Sequence, residues 1–335
     1  MTASKRHLIL LAVSATVLVA LPFAASSFFL IEVLVKSLWL GTVAASLTFL
    51  IRYAGMISLA QTAIYGTSAY VTANFSSVQG LNPWAAALSG IAVATIVTVA
   101  IGLLSSRARG VYFLMITLTA GVFVYYFALQ YRPFTFGFGG INGVQAPSIG
   151  ALHFRVPINF YFLALAVSIL ATVLLYAYAR SPIGLALQGD RDGSERMTAL
   201  GLNTTAIRIA GFVIAGFVAS TGGVLSVWYN GQVSPGSLDV VRTIDILVIA
   251  VLGGASRIEG AWLGALAISV LSVYASDFTD YYNTLIGVVF IAVVVFSPGG
   301  ILGFVTSVSS RLQHRSAAIP VVESSTTAIP LLKEN

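Results

Sequence analysis

At 335 residues, 58% hydrophobic and only 8% charged, with a mean hydropathy of +0.94, the chain cannot be an ordinary soluble domain. One core cannot hide that much apolar surface, so a bilayer must act as its solvent, and the short alternating segments of a β-barrel are absent. The lack of cysteine excludes disulfide frameworks, thiolate nucleophiles and most zinc sites; His7, His153 and His314 have no ligand partner at helical spacing, so no cofactor or metal is expected.

Lys5 and Arg6 precede an apolar stretch, Leu8 to Leu21, followed by the small residues Ala24, Ala25, Ser26 and Ser27. The pattern resembles a signal peptide, but its length and the spans that follow favour an uncleaved first helix. Hydropathy places ten segments near 7–26, 28–51, 54–75, 83–105, 110–131, 159–179, 206–229, 242–255, 258–277 and 282–303. The third and eighth are interrupted by glycine and polar residues and are expected to be broken or re-entrant, which leaves eight to ten spans. The fold class is therefore an all-α polytopic membrane protein. Residues 1–310 form one transmembrane unit, and 311–335 form a tail without apolar periodicity that is expected to be disordered.

Starting inside and alternating, this layout puts every Lys and Arg on the inner side except Arg132, Arg155, Arg242 and the intrasegment Lys36. By the positive-inside rule both termini face the cytoplasm, and the net charge of +6 reports orientation rather than a nucleic-acid partner.

On the second segment, Glu32 and Lys36 stand at i,i+4 and are expected to neutralise each other. The third carries a stripe of small and polar residues, including Ser58, Gln61 and Tyr70, with Tyr65 between them. Such groups need protein or water partners inside a bilayer. Two readings fit: close helix packing, or the lining of a solute path. The outer stretch 132–158 is long and glycine-rich; Gly139, Gly140, Asn142 and Gly143 suit either a flexible loop or a contact for an external protein. Asp245, a carboxylate within the eighth segment, is a functional candidate that Arg242 at i−3 could equally neutralise.

The inner stretch 180–206, "RSPIGLALQGDRDGSERMTALGLNTTA", is the chain's most charged segment between long apolar runs. Ser181-Pro182 is a helix start, with Ser as cap and Pro at the first helical position. Ile183, Ala186 and Leu187 share a face, Gly189 and Gly193 bracket a charged turn, and Ser194 can cap a second helix carrying Met197 and Leu200. Gly201 is a natural stop, and Asn203 is placed to cap the next span. Two short amphipathic helices on the inner surface follow. They either cover the headgroup region or dock a partner.

This stretch resembles the cytoplasmic loop of permeases of the branched-chain amino-acid ABC transporter family: Glu195, Ala199, Leu200 and Gly201 match its Glu and its Ala-Leu-Gly, while Arg196 and Met197 replace the family's usual Ala pair. "YAGMISLAQTAIYGTSAY" (53–70) is similar to the family's Gly-x-x-Ser-Leu-x-Gln segment. "RGVYFLMITLTAGVF" (109–123), "FGGINGV" (138–144), "VLGGASRIEGAWLGA" (251–265) and "SPGGILG" (297–303) resemble its later signatures in the same order. The resemblance is to the longer of two homologous permease types.

It implies an importer subunit in a bacterial inner membrane, with a homologous second permease, two ATP-binding cassette subunits and an extracytoplasmic solute-binding protein. Ser181, Pro182, Ile183, Leu187, Glu195, Ala199, Leu200 and Gly201 would form the coupling element. Gly139, Gly140, Asn142 and Gly143 would meet the binding protein, and Ser58, Gln61, Tyr65, Tyr70 and Asp245 are candidates for the path. The chain contains no Gly-x-x-x-x-Gly-Lys-Ser/Thr, so ATP hydrolysis would fall to the partners and the chain would be no enzyme. Branched-chain or other neutral amino acids are the implied substrates, with urea or short amides as the alternative. The family more often has an uncharged residue at Asp245. An ion-coupled carrier is the remaining rival, for which Asp245 is the sole support.

Overall fold

The computed structural model describes residues 21–22, 26–150 and 152–278, together with positions 284, 287, 288, 291, 300 and 303. Most of the segments at 7–26 and 282–303, and the whole tail 311–335, lie outside the described residues.

The described chain forms α1 (Leu30–Ala54), α2 (Gln61–Ala73), α3 (Pro83–Ser105), α4 (Val111–Gln130) and α5 (Pro157–Arg180). These are followed by α6 (Pro182–Ala199), α7 (Thr204–Asn230), α8 (Val240–Gly253) and α9 (Gly260–Phe278). Among them α1, α3, α4, α5 and α7 are long and apolar enough to cross a membrane. The protein is a multi-pass membrane protein.

Several helix starts follow from local chemistry. Asn82 accepts from the Trp84 N–H at 3.0 Å ahead of Pro83, and Asn203 accepts from the Ala206 N–H at 3.1 Å, as its position suggested. Asp239 caps Val241 in the same way.

The segment expected at 54–75 is broken. α1 stops at Gly55, residues 55–60 are not helical, and α2 begins only at Gln61, inside the bundle. The freed backbone is satisfied locally. Leu59 N–H donates to Thr117 Oγ1 at 3.2 Å and Ala60 N–H to Ser58 Oγ at 3.2 Å. Unwound backbone at membrane depth persists only where protein supplies such partners. The eighth segment is a helix of 14 residues, about 21 Å long at 1.5 Å per residue, short of a bilayer core of roughly 30 Å.

The buried centre is α1 and α7. In the most apolar window of α1, 89% of residues are buried, against 22% in α4, so α4 lies on the outer flank of the bundle. α7 packs on α1, α2 and α3, and α9 packs on α1 and α8. Lipid is as apolar as leucine, so helices here associate through close packing and hydrogen bonds rather than by leaving water. Gly223 shows the closeness required: a Cβ there would sit 2.1 Å from both the Tyr65 carbonyl oxygen and Ser68 Oγ of α2. Ser68 itself donates to the Ser220 carbonyl at 2.8 Å across the same contact. Gly223→Val is expected to destabilise the bundle by about 3 kcal/mol, since backbone rather than a movable side chain must yield. Thermal unfolding in detergent, with Gly236→Ala as a control at an exposed glycine with room for a Cβ, measures the loss.

One end of the bundle gathers 52–57, 106–110 and α6; the opposite end gathers 131–150, 152–156 and 230–239. At the latter, Ile141 and Asn142 pair antiparallel with Val233 and Gln232, and Trp84 meets Trp228 edge-on at 5.5 Å. Two charge pairings differ in outcome. Arg242 reaches Asp245 at 3.4 Å, the pairing that is one of the two readings of that carboxylate. Glu32 and Lys36 form no ion pair within 4.0 Å, although the Glu32 charge stays near enough to act on Lys36.

Candidate functional site

The charged stretch 180–206 contains α6, joined to α5 through the single residue Ser181 and to α7 through 200–203. Ser181 Oγ accepts from the Gly184 N–H at 3.1 Å and donates to the Tyr178 carbonyl at 2.7 Å, holding the corner between the two helices. The helix runs through Gly189 and breaks at Gly193, so Gly193 alone, and not the pair, makes the bend. After Ala199 the chain closes in a glycine-stopped turn: Gly201 has φ +79, Leu202 N–H donates to the Met197 carbonyl and Gly201 N–H to the Thr198 carbonyl.

The face of α6 turned to the bundle is Gly184, Leu187 and Asp190, spaced by three. Leu187 is fully buried, and its Cδ2 lies 2.6 Å from where a Cβ on Gly211 of α7 would be. It is an anchor into α7, whereas Ile183, its expected companion, is 50% exposed. Ser181 is half-buried, and Pro182, Glu195, Ala199, Leu200 and Gly201 are exposed. Ile183, Leu185 and Leu200 therefore present apolar side chains outward beside Glu195 and Arg196.

Asp190 is held between two arginines. Its carboxylate lies 3.9 Å from Arg208 Nε and 3.9 Å from Arg109 Nη2. Arg208 is buried on α7, donates to the Ser106 carbonyl at 2.7 Å and the Ala108 carbonyl at 2.8 Å, and its guanidinium lies over the Phe113 ring at 5.7 Å. Arg109 also donates to Ser194 Oγ, and Arg191 to the Arg52 carbonyl. Arg191 Nε meets Asp192 Oδ1 at 2.7 Å and holds that exposed carboxyl below its ordinary range, a pair that solvent screens. One connected set of contacts thus ties α6 to the end of α1, to the α3–α4 turn and to α7. Sequence reasoning missed Arg208 and Arg109. The usable signal was Asp190, three residues after Leu187 on the buried face, where a carboxylate demands a cation.

The residues expected along a path are in different places. Ser58, Gln61, Tyr65 and Tyr70 are all buried. Gln61 Oε1 accepts from Ser46 Oγ at 3.1 Å, and Tyr65 stacks on Trp39 with ring centres 5.9 Å apart. Tyr70 borders an apolar cleft of about 1140 Å³ between α3 and α4. Asp245, partly buried on α8, is occupied by Arg242. At the far end Gly139, Asn142 and Gly143 are exposed, while Gly140 packs against the Val233 carbonyl; Phe138 beside them is 88% exposed.

A family model described as the permease component of branched-chain amino acid transport systems matches residues 29–294. The high-affinity branched-chain amino acid transport system permease protein BraD of Pseudomonas aeruginosa is 32% identical over 173 residues, covering 51% of this chain and 52% of that protein. LivH of Salmonella typhimurium, a permease named for the same transport system, is 29% identical over 138 residues, 41% of this chain and 44% of LivH. The ribose import permease protein RbsC of Haemophilus influenzae is 26% identical over 175 residues, 50% of this chain and 52% of RbsC. The chain thus spans about half the length of the curated relatives it matches. No solved structure matches it.

Proposed function

The chain belongs to the branched-chain amino acid transport permease family, and from that premise we propose that it is the membrane subunit of an ATP-driven importer of branched-chain or other neutral amino acids. The observation that carries this reading is the division of α6 into two faces. Leu187 and Asp190 bind it to the bundle, while Ile183, Leu185, Glu195 and Leu200 remain outward around a charged rim. That is the form of a docking element, with apolar anchors inside polar surroundings.

In this mechanism the end bearing 180–206 faces the cytoplasm, and two ATP-binding subunits seat on it. ATP-driven closure displaces α6. Ser181 passes the motion to α5, Leu187 to α7, and Arg208 carries the α3–α4 turn with α7. A push at one surface therefore moves several helices together, which switches access between the membrane faces. A homologous second permease completes the path, to which Ser58, Gln61, Tyr65 and Tyr70 contribute. A solute-binding protein docks outside on Phe138, Gly139, Gly140, Asn142 and Gly143.

Uptake of labelled L-leucine, urea and ribose by cells carrying the chain with its ATP-binding and binding-protein partners tests the proposal. ATP-dependent leucine uptake is expected, with Glu195→Arg and Gly201→Pro each abolishing it while membrane insertion stays intact. Proline cannot adopt the positive φ at 201, and arginine reverses the charge on the docking rim. Uptake of urea alone reassigns the substrate. Unchanged leucine uptake by both variants contradicts docking through α6.

A further inference from the structure

At the end of the bundle opposite α6, the chain builds a polar cleft of about 410 Å³, within the range of roughly 300–1,000 Å³ typical of small-molecule sites. The coupling mechanism above makes no use of it. Glu32, Lys36 and Trp39 come to it from α1, Tyr65 from α2, Asn230 from the end of α7 and Arg242 from α8.

Charges of both signs face that cleft: Lys36, and Glu32, whose carboxylate also meets the Tyr229 hydroxyl, stand close enough to feel each other without closing into an ion pair. Lys36 is only partly exposed and makes no ion pair within 4.0 Å among the described residues. Arg242, by contrast, is already taken up by Asp245 at 3.4 Å. The third feature is Trp39. It is 8% exposed, and its indole N–H has no hydrogen-bond partner, while its ring stacks on Tyr65 with 9° between the planes. A buried indole donor left without an acceptor is costly and uncommon in a folded protein. Asn230 turns its amide nitrogen to the Ser226 carbonyl at 2.9 Å, which leaves its carbonyl oxygen as an acceptor on the cleft.

We propose that this cleft receives a small zwitterion. Its carboxylate is held by Lys36 and the Trp39 indole N–H, its ammonium by Glu32 and the Asn230 carbonyl, and its aliphatic side chain lies along the Trp39–Tyr65 stack. A single cation or anion would leave one of the two facing charges unmatched. A neutral amide could accept from Lys36 and donate to Glu32, but it would bring no charge to match either, and so should be held more weakly than a zwitterion. The inference rests on the importer reading and deepens it, by giving the permease its own selective station where solute enters the path.

The test uses the whole permease–ATPase complex in nanodiscs, without binding protein, with tritiated L-leucine as the probe. Competition is by 4-methylpentanoate, which lacks the ammonium, and 3-methylbutylamine, which lacks the carboxylate. Each is expected to compete at least about tenfold more weakly than leucine, the loss of one charge-assisted contact set. Lys36→Met and Glu32→Gln should each weaken leucine binding by about tenfold or more, while Lys36→Arg stays within about threefold and so separates loss of charge from loss of fold. A complex that imports leucine with ATP, yet binds and transports it equally well with Lys36→Met and Glu32→Gln, overturns the site and leaves the importer standing. A complex that imports urea and binds no leucine overturns the substrate reading and the zwitterion site together.

Discussion

The Arg208→Met chain is expected to lose about 3–5 kcal/mol of stability, the cost of leaving a buried carboxylate without its main partner. Asp190, whose side chain is 6% exposed, would retain only Arg109 at 3.9 Å, a residue whose own side chain is 57% exposed. The Ser106 and Ala108 carbonyls would also lose their donor, releasing the α3–α4 turn from α7. Asp190→Asn should cost much less, because Arg208 keeps both of those carbonyls. Combining Arg208→Met with Asp190→Leu should recover part of the loss, since an apolar pair suits the site better than a lone charge. Thermal unfolding of the parent, Arg208→Met, Asp190→Leu and the double variant in one detergent gives the cycle, with Asp190→Asn measured beside it. If Arg208→Met unfolds with the parent, Asp190 is not held by Arg208 in the way the geometry requires.

The second large effect separates anchoring from docking. Leu187→Ala removes the side chain that fills the notch at Gly211, and a cavity of that kind costs about 2–5 kcal/mol locally. The outward face of α6 is untouched, so the ATP-binding subunits should still bind and hydrolyse ATP while leucine uptake falls by about tenfold or more. Leu200→Asp alters only a side chain that is 74% exposed, so the fold should be unaffected while ATPase recovery and uptake are lost together. ATPase rate and uptake measured side by side distinguish the two. A Leu187→Ala complex with normal coupling would show that α6 does not transmit through α7.

The helix ends were legible in the sequence because their signals are local. Ser181-Pro182, Gly201 and Asn203 act on backbone groups within a few residues, and each does in the structure what its chemistry suggests. The long spans at 83–105 and 110–131 were legible to within a residue or so from hydropathy. The break at 55–60 was visible only as a disturbance, since its satisfaction depends on Thr117 from α4, far away in sequence. The spacing of Glu32 and Lys36 foretold that their charges would act on each other, but not that they would stop short of an ion pair within 4.0 Å. On α6, Ile183 and Leu187 belong to one apolar stripe, so the pattern could not tell the outward residue from the anchor; that depended on Gly211 in the next helix. The Asp190–Arg208 link joins residues whose meeting is set by how α6 folds back on α7. Local chemistry was readable, and what two distant segments do together was not.

The central claim is that α6 grips a motor this chain does not carry. Its most direct test is to purify the tagged chain from its native membrane in a mild detergent, alongside Leu200→Asp, and to identify the companions by mass spectrometry. The account predicts a second permease and P-loop ATPases with the parent chain, and the permease without the ATPases from Leu200→Asp. Recovery of the parent chain alone, under conditions that keep a known ABC complex intact, would contradict it and point to a self-sufficient carrier.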